Sequence, residues 1–197
     1  EICACLVGSE MCIRDRYTHP NSIASDISRC ITMDDSDRIW IGTREGLSLY
    51  NHYKDEFSNY YYKRNGLNVA VTSIIPIKKD WLMLGTAEGI LLFDVKKECF
   101  LSDTLSSSLH GLQPAALVRQ DDCIYIGTEE GVYIYTLSNG ILEKLVDMPA
   151  GIRVHAILCQ MFNRIWLATE GDGLYLYDMK TKELKNYRYE DGKSGLN

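Results

Sequence analysis

The sequence predicts an all-β fold, a partial β-propeller of about four four-stranded antiparallel blades. A twelve-residue pattern, in which an apolar strand is followed by Gly-Thr, a glycine turn and a second strand, occurs four times in the 197-residue chain. Polar turns separate this pattern from a short apolar segment on each side, which gives four strands per copy, the size of a propeller blade. No segment has the periodicity of an amphipathic helix.

The central motif of each copy predicts a β-hairpin. Its threonine recurs at intervals of 43, 42 and 41 residues: Thr43, Thr86, Thr128 and Thr169. The apolar run before Gly-Thr suits a strand that is buried on both faces. The Gly of Gly-Thr, replaced by Ala168 in the fourth copy, indicates that a neighbouring backbone comes close. The later glycine, Gly46 in the first copy, supplies the positive φ of a tight turn.

Two further strands flank each central hairpin. The preceding strands are predicted at 27–33, 71–77, 115–118 and 154–158, and the following strands at 56–62, 99–102, 141–146 and 183–189. The propeller is therefore predicted to occupy residues 17–197, with blades at approximately 25–65, 66–110, 111–150 and 151–194. A β-sandwich also has regularly spaced strands, but it would not repeat one twelve-residue motif four times.

Residues 1–16 (EICACLVGSEMCIRDR) are set apart from the fold prediction. Residues 6–16 resemble the translation of a common sequencing-library adapter. A secretion signal is the alternative, but the segment lacks a basic start, a sufficient apolar core and a small-residue cleavage site. We therefore expect an adapter-derived artefact, which makes the chain a fragment and Cys3, Cys5 and Cys12 foreign to the protein. Such a fragment would form an open arc with an apolar face at each end, and we expect it to aggregate.

Composition excludes some partners. The net charge is −6 and the basic residues form no stripe, so a nucleic-acid partner is not expected through this chain. No apolar run approaches the ~18 residues of a membrane span. The remaining cysteines are expected to be small apolar core residues, because their spacing fits no metal site: Cys30, Cys99, Cys123 and Cys159. Their redox state is not fixed by the sequence.

The repeat carries a family resemblance. The first copy reads I-W-I-G-T-x-x-G-L-x-x-Y at 39–50, followed by F-x-x-Y at 57–60. The fourth copy ends in L-K-N-Y at 184–187, and the inter-blade segments read N-G-L-N at 65–68 and S-G-L-N at 194–197. This combination resembles the two-component regulator propeller repeat family. The second copy departs most, with Met83 at the aromatic position and Ile90 in place of Leu.

The resemblance implies a sensor. Propellers of this family form the extracytoplasmic, periplasmic region of inner-membrane hybrid histidine kinases. Many detect oligosaccharides and control transcription of polysaccharide-utilisation genes. The expected partners are then an oligosaccharide, the rest of the propeller, a stalk domain and a second subunit in a homodimer. Two other hypotheses remain open: an interaction scaffold attached to another output domain, and part of a propeller enzyme such as a lyase or glycosidase.

No catalytic, metal or cofactor site is predicted, so this chain is not expected to be an enzyme. The histidines are isolated from any nucleophile-and-acid set: His19, His52, His110 and His155. The acidic segment 34–37 lacks the glycine and distal glutamate of a calcium loop and is predicted to be a solvated turn. The segment 171–173 (Gly-Asp-Gly) lies between two strands and is predicted to be a hairpin turn.

One positional argument predicts a ligand site. In a propeller the first strand of each blade lines the central channel, at whose mouth ligands tend to bind. Two residues after the glycine that precedes this strand, hydrogen-bonding side chains recur: Asn68, Gln113, Arg153 and Asn197. Strand alternation places His155 on the same face as Arg153. Asn68, Gln113, Arg153 and His155 are therefore the candidate ligand-binding residues, suited to hydroxyl or carboxylate groups of a sugar. The alternative is that they are solvated linker residues.

The aromatic residues divide into two groups. Trp40, Tyr125 and Trp166 occupy one position of the repeat, which favours a repeated packing role between blades over sugar stacking. The run 60–62 is three tyrosines on an outer strand, where alternation places Tyr61 opposite its neighbours. Part of this aromatic surface is expected to be exposed, with ordinary outer-strand packing as the alternative.

Overall fold

The computed structural model describes residues 21–101, 109, 111–149, 151–161 and 163–189. The predictions made for residues 1–16, His19, His110 and Asn197 lie outside these residues. The described residues divide into two compact units: the first runs up to Leu84 and adds Phe93–Phe100, and the second comprises Gly85–Leu92 and the residues from Leu101 onward.

Four four-stranded antiparallel sheets form the blades, each with its strands in sequence order. The first blade consists of β1 (Ser28–Met33), β2 (Ile39–Thr43), β3 (Leu47–Asn51) and β4 (Glu56–Tyr60). A small hairpin follows, made of β5 (Lys63–Arg64) and β6 (Leu67–Asn68). The second blade consists of β7 (Val71–Lys78), β8 (Trp81–Thr86), β9 (Gly89–Asp94) and β10 (Cys99–Leu101).

The third blade consists of β11 (Ala116–Gln120), β12 (Cys123–Gly127), β13 (Gly131–Thr136) and β14 (Leu142–Asp147). The fourth blade consists of β15 (Val154–Gln160), β16 (Arg164–Thr169), β17 (Leu174–Asp178) and β18 (Glu183–Tyr187). The predicted fold class, all-β with four-stranded antiparallel blades, is confirmed. The predicted strands end within about two residues of the observed ones, the usual scatter of strand boundaries.

A threonine closes the central hairpin of every blade. Thr43 Oγ1 donates to the carbonyl of Gly46 over 3.0 Å and accepts from the backbone amides of Glu45 and Gly46. The same donation occurs in the other blades at 2.7 to 2.9 Å: Thr86 to Gly89, Thr128 to Gly131 and Thr169 to Gly173. All four glycines have positive φ, as predicted. The Thr43 hydroxyl thus gives two amides of the turn an acceptor and adds a second donor to a carbonyl that already accepts from the Thr43 amide.

Close backbone approach explains the glycine before the threonine. A Cβ on Gly42 would lie 2.9 Å from the Val71 carbonyl oxygen in β7, and one on Gly127 would lie 3.1 Å from the Val154 carbonyl oxygen in β15. Val71 and Val154 each begin the first strand of the following blade. The predicted approach is therefore confirmed at Gly42 and Gly127, and it is one of the contacts through which a blade packs on the next.

Aromatic residues fill the space between blades, as predicted for two of the three. Trp40 is fully buried and packs edge-on against Phe93 of the second blade, with ring centroids 5.6 Å apart. Tyr125 belongs to an apolar cluster that joins the third and fourth blades. Trp166 is only half-buried; its indole donates to Gln160 over 2.9 Å and its ring packs on Tyr187 of its own blade.

Besides the packing of Trp166, two predictions about individual side chains are wrong. Asp34 opens the predicted solvated turn, yet it is 5% exposed, because its carboxylate turns inward to accept hydrogen bonds. Cys99 is exposed rather than in the core, because it begins the outer strand β10. The other three described cysteines are partly buried free thiols. Burial raises the pKa of Cys30 and of Cys159 to about 11, so both thiols are protonated at neutral pH.

Candidate functional site

Asn68 lies on the small hairpin between the first two blades. Asn65 and Gly66 form its two-residue turn with φ values of 53° and 79°, as an Asn-Gly hairpin turn requires. Antiparallel pairing places Asn68 opposite Lys63. The Asn68 amide donates to Glu45 Oε2 over 3.0 Å. The hairpin therefore positions Asn68 beside the threonine-closed turn of the first blade.

Arg153 contacts the equivalent turn of the third blade, the one between β12 and β13. It precedes β15, and its Nη1 lies 3.8 Å from Glu129 Oε1, one residue after Thr128. The Arg153 side chain is 37% exposed. Its Nε is buried and has no hydrogen-bond partner among the described residues. The guanidinium thus retains a donor that its protein surroundings do not use.

His155 reaches the turn of the fourth blade by way of a β-bulge. The register between β15 and β16 shifts between Val154 and Ala156, so His155 has no opposite residue. The alternation assumed from the sequence is therefore broken here, because a bulge redirects the side chain. His155 Nε2 lies 3.1 Å from Glu170 Oε2, and the Glu170 amide donates to the Arg153 carbonyl over 3.0 Å. Glu170 therefore contacts the backbone of Arg153 and the side chain of His155.

Gln113 is exposed in the segment before β11. It belongs with Arg153 and His155 to the second unit, whereas Asn68 belongs to the first. A ring formed by all four predicted residues therefore stays a prediction. Three of the four do share one environment, because each contacts an acidic residue in the turn between the second and third strands of a blade.

Sequence reasoning missed these acids. Glu45, Glu129 and Glu170 lie within one or two residues of the turn threonines. The signal was present, since an acidic residue occurs between the threonine and the glycine in every copy. The glycine is sufficient to predict the turn, so the sequence alone assigns no role to the carboxylates.

The extra residue in the fourth turn forms a polar cluster of its own. Asp172 accepts hydrogen bonds from the Tyr175 hydroxyl and, at 3.4 Å, from the Asn186 amide, and it pairs with Arg188. The Tyr175 hydrogen bond, reinforced by Arg188, holds the pKa of Asp172 below its usual value. Burial and the same hydrogen bond raise the pKa of Tyr175. The segment is a hairpin turn, as predicted, and the cluster fixes its conformation.

The arrangement suits binding of neutral polar groups. Arg153 and His155 each face a carboxylate, so the site offers donors and acceptors without a large excess of positive charge. In the part of the chain that the structure describes, no group of three or more His, Cys, Asp or Glu residues could hold a metal ion. The same residues include no helix long and apolar enough to cross a membrane.

A family comparison identifies the repeat. Residues 22–45 match the family model described as the two component regulator propeller. The chain contains a repeat of this family. In the structure the matched segment spans β1, β2 and the turn up to Glu45, the residue that Asn68 contacts. Among curated proteins, none matches the sequence.

Solved structures share the propeller fold. The extracellular domain of BT4673 from B. thetaiotaomicron, a protein named as a hybrid two component system, is 21% identical with a TM-score of 0.71; the match covers 89% of this chain and 23% of that one. The extracellular domain of BT3049, named likewise and from the same organism, is 21% identical with a TM-score of 0.57, covering 89% of this chain and 30% of that one. The chain thus spans less than a third of the length of either relative.

The fold is also shared with an enzyme. Virginiamycin B lyase from Staphylococcus aureus is 15% identical with a TM-score of 0.61, and the match covers 85% of this chain and 57% of that one. At such identities the likeness shows the fold alone, and function has to be argued from the site.

Proposed function

We propose that this chain is part of the ligand-sensing propeller of a membrane-bound hybrid histidine kinase. The observation that carries the proposal is the match of residues 22–45 to the two component regulator propeller family. The B. thetaiotaomicron relatives with the same fold support it, because both are named as extracellular domains of hybrid two component systems. On this proposal the chain is periplasmic, and the rest of the propeller and a stalk domain carry the signal across a homodimer.

The ligand we propose is an oligosaccharide, and the response is transcription of polysaccharide-utilisation genes. Asn68, Gln113, Arg153 and His155 are the proposed contacts. Support comes from the unused Nε donor of Arg153 and from the carboxylates at Glu45, Glu129 and Glu170, which accept from donors such as hydroxyl groups. Because the Arg153 guanidinium already faces the Glu129 carboxylate, a neutral sugar fits better than the acidic sugar that the sequence also allowed.

Binding is the direct test. The full chain is titrated by calorimetry with neutral oligosaccharides of glucose, xylose, mannose and galactose, and with an oligogalacturonate. We expect a neutral oligosaccharide to bind, and the double variant Arg153→Ala with Gln113→Ala to weaken its binding about ten-fold or more, the loss of one to two hydrogen bonds to a charged donor.

Arg164→Ala is the matched control. Arg164 also lies in the fourth blade, is 51% exposed and pairs with Asp178 at 3.5 Å, but it stands at the opposite end of β16 from Thr169. The Arg164→Ala variant should bind the ligand as the wild type does. Equal binding by the double variant and the control would refute the assigned contacts.

Sequencing the gene on both sides of this chain tests whether it belongs to a histidine kinase. A soluble catalytic domain in place of a membrane span and a kinase core would refute the sensor proposal.

A further inference from the structure

We propose that Tyr61, together with Glu45 and Asn68, forms a stacking site for a neutral pyranose ring on the first blade. The inference rests on the proposed function, since it places one sugar unit of the oligosaccharide. It adds a residue, Tyr61, and a type of contact that the polar side chains cannot supply.

Tyr61 is not needed by the core of the blade. Its neighbours Tyr60 and Tyr62 are half-buried and pack against the second blade. The centroid of the Tyr60 ring lies 4.9 Å from that of Phe93, and the centroid of the Tyr62 ring lies 5.5 Å from that of Phe100. Tyr61 directly follows the last residue of β4 and is 46% exposed. An aromatic ring next to a strand end, with nearly half of its surface in solvent, is available for stacking.

The repeat does not require an aromatic residue at this position either. Strand register aligns Tyr60 with Tyr187 of the fourth blade, since they lie opposite Leu47 and Leu174. The residue after Tyr187 is Arg188, so Tyr61 corresponds to an arginine there. A packing role imposed by the blade would recur in other copies, as the role of Trp40 between blades recurs at Tyr125. The aromatic side chain of Tyr61 is therefore a feature of the first blade that the repeat itself does not require.

Hydrogen-bonding groups lie beside the ring. A Cβ on Gly46 would be 3.2 Å from Cδ1 of Tyr61, so the edge of the ring lies against the turn that contains Glu45. Glu45 Oε2 accepts from the Asn68 amide at 3.0 Å. The partly exposed Tyr61 ring and the Asn68 amide therefore both contact the turn between β2 and β3.

This combination selects one kind of ligand. A pyranose ring has an apolar face of C–H groups, which stacks on an aromatic ring, and hydroxyl groups at its edge, which donate to a carboxylate and accept from an amide. An anionic sugar would bring its charge close to Glu45, which costs binding energy. The geometry thus favours a neutral pyranose.

The test uses calorimetry on the full chain with the same oligosaccharide panel. Tyr61→Ala should raise the dissociation constant of the neutral oligosaccharide about ten-fold, the upper end of what one aromatic pair contributes. Tyr61→Phe keeps the ring and should bind within about two-fold of the wild type, since it loses only a hydroxyl at an exposed site. Tyr53→Ala is the matched control, because Tyr53 is an exposed tyrosine of the same blade (88%) in the turn between β3 and β4. It should bind as the wild type does.

The outcomes separate this inference from the proposed function. If the wild type binds a neutral oligosaccharide and Tyr61→Ala binds it equally well, the stacking site is refuted and the sensor proposal stands. If Tyr61→Ala and Tyr53→Ala lose affinity alike, a specific role for Tyr61 is refuted. If only the oligogalacturonate binds, the neutral pyranose is refuted. If no member of the panel binds the wild type, both proposals fail. Unchanged thermal melting of Tyr61→Ala excludes misfolding as the cause of lost binding.

Discussion

The carboxylate of Asp34 accepts a 2.8 Å hydrogen bond from the indole of Trp40. The same carboxylate accepts from Arg38 Nε at 2.7 Å and from the backbone amides of Ser36 and Arg38. Asp34 thereby ties the turn between β1 and β2 to the aromatic ring that packs on the second blade. The fourth blade repeats the relationship with an amide, since Trp166 donates to Gln160, which also stands six residues before it.

We expect Asp34→Ala to destabilise the chain strongly. The substitution leaves the buried Trp40 donor and the turn amides without an acceptor, a loss of about 3 kcal/mol in the free energy of unfolding. Urea denaturation followed by tryptophan fluorescence measures it. Asp35→Ala, at the exposed neighbouring position, is the control and should change stability by less than about 0.5 kcal/mol. Similar losses in the two variants would contradict the structural role of Asp34.

The contribution of Asp34 should depend on pH. Burial alone would raise the pKa of this carboxyl, but the hydrogen bonds from Trp40, Ser36 and Arg38 outweigh it and hold the pKa below the usual value. A lowered pKa in the folded state means that the stabilisation is complete above the unfolded value of about 3.9 and is lost as the pH falls through the folded value.

Comparison with Asp34→Asn isolates this effect, because the other acidic residues remain in both proteins. The difference in unfolding free energy between wild type and Asp34→Asn should be constant from about pH 7 to pH 5 and shrink below about pH 4. Urea denaturation across this range measures it. A difference that grows on acidification would show that the pKa of Asp34 is raised in the folded protein.

Glycine substitutions should separate backbone strain from steric collision. Gly131 has a φ of 143°, and a Cβ there would collide with the Val146 carbonyl. Gly151 has a φ of 79°, but a Cβ there would meet nothing within 4 Å. Gly151→Ala should therefore cost about 1 kcal/mol, for the left-handed conformation alone, whereas Gly131→Ala should cost about 3 kcal/mol. Equal costs in urea denaturation would contradict the collision.

The sequence predicted the blades because each local pattern repeats. A strand boundary or turn glycine that is ambiguous once becomes clear when Gly46 and its equivalents recur at nearly constant spacing. The candidate site was harder, because its contacts link separate turns. Asn68 on the hairpin contacts Glu45 of the first blade, and Arg153, just before the fourth blade, contacts Glu129 of the third. No local pattern encodes such pairs. The bulge at His155 likewise arises from pairing with β16, which the isolated segment does not reveal.

An exposed isoleucine on the first blade predicts self-association. Cys30, Ala116 and Ala156 lie opposite the small residue of the Gly-Thr strand in their blades. The next residues are therefore equivalent, and their exposed fractions are 71% for Ile31, 7% for Leu117 and 7% for Ile157. Ile31 lines an open apolar groove of about 510 Å³ with Ile23, Ile39, Ile41, Tyr50 and Phe57. An apolar groove at a position that other blades bury is a surface for association.

Ile31→Lys should therefore weaken association between copies of the chain. Burying one isoleucine contributes about 1.5 to 3 kcal/mol, so the dissociation constant should rise about ten-fold or more. Sedimentation velocity over a concentration series measures it. Leu67→Lys is the control, because Leu67 is 74% exposed on the hairpin between blades and lies outside the groove. A wild-type chain that stays monomeric throughout the series would contradict the prediction, and so would equal weakening by both substitutions, because general surface charge rather than the groove would then govern association.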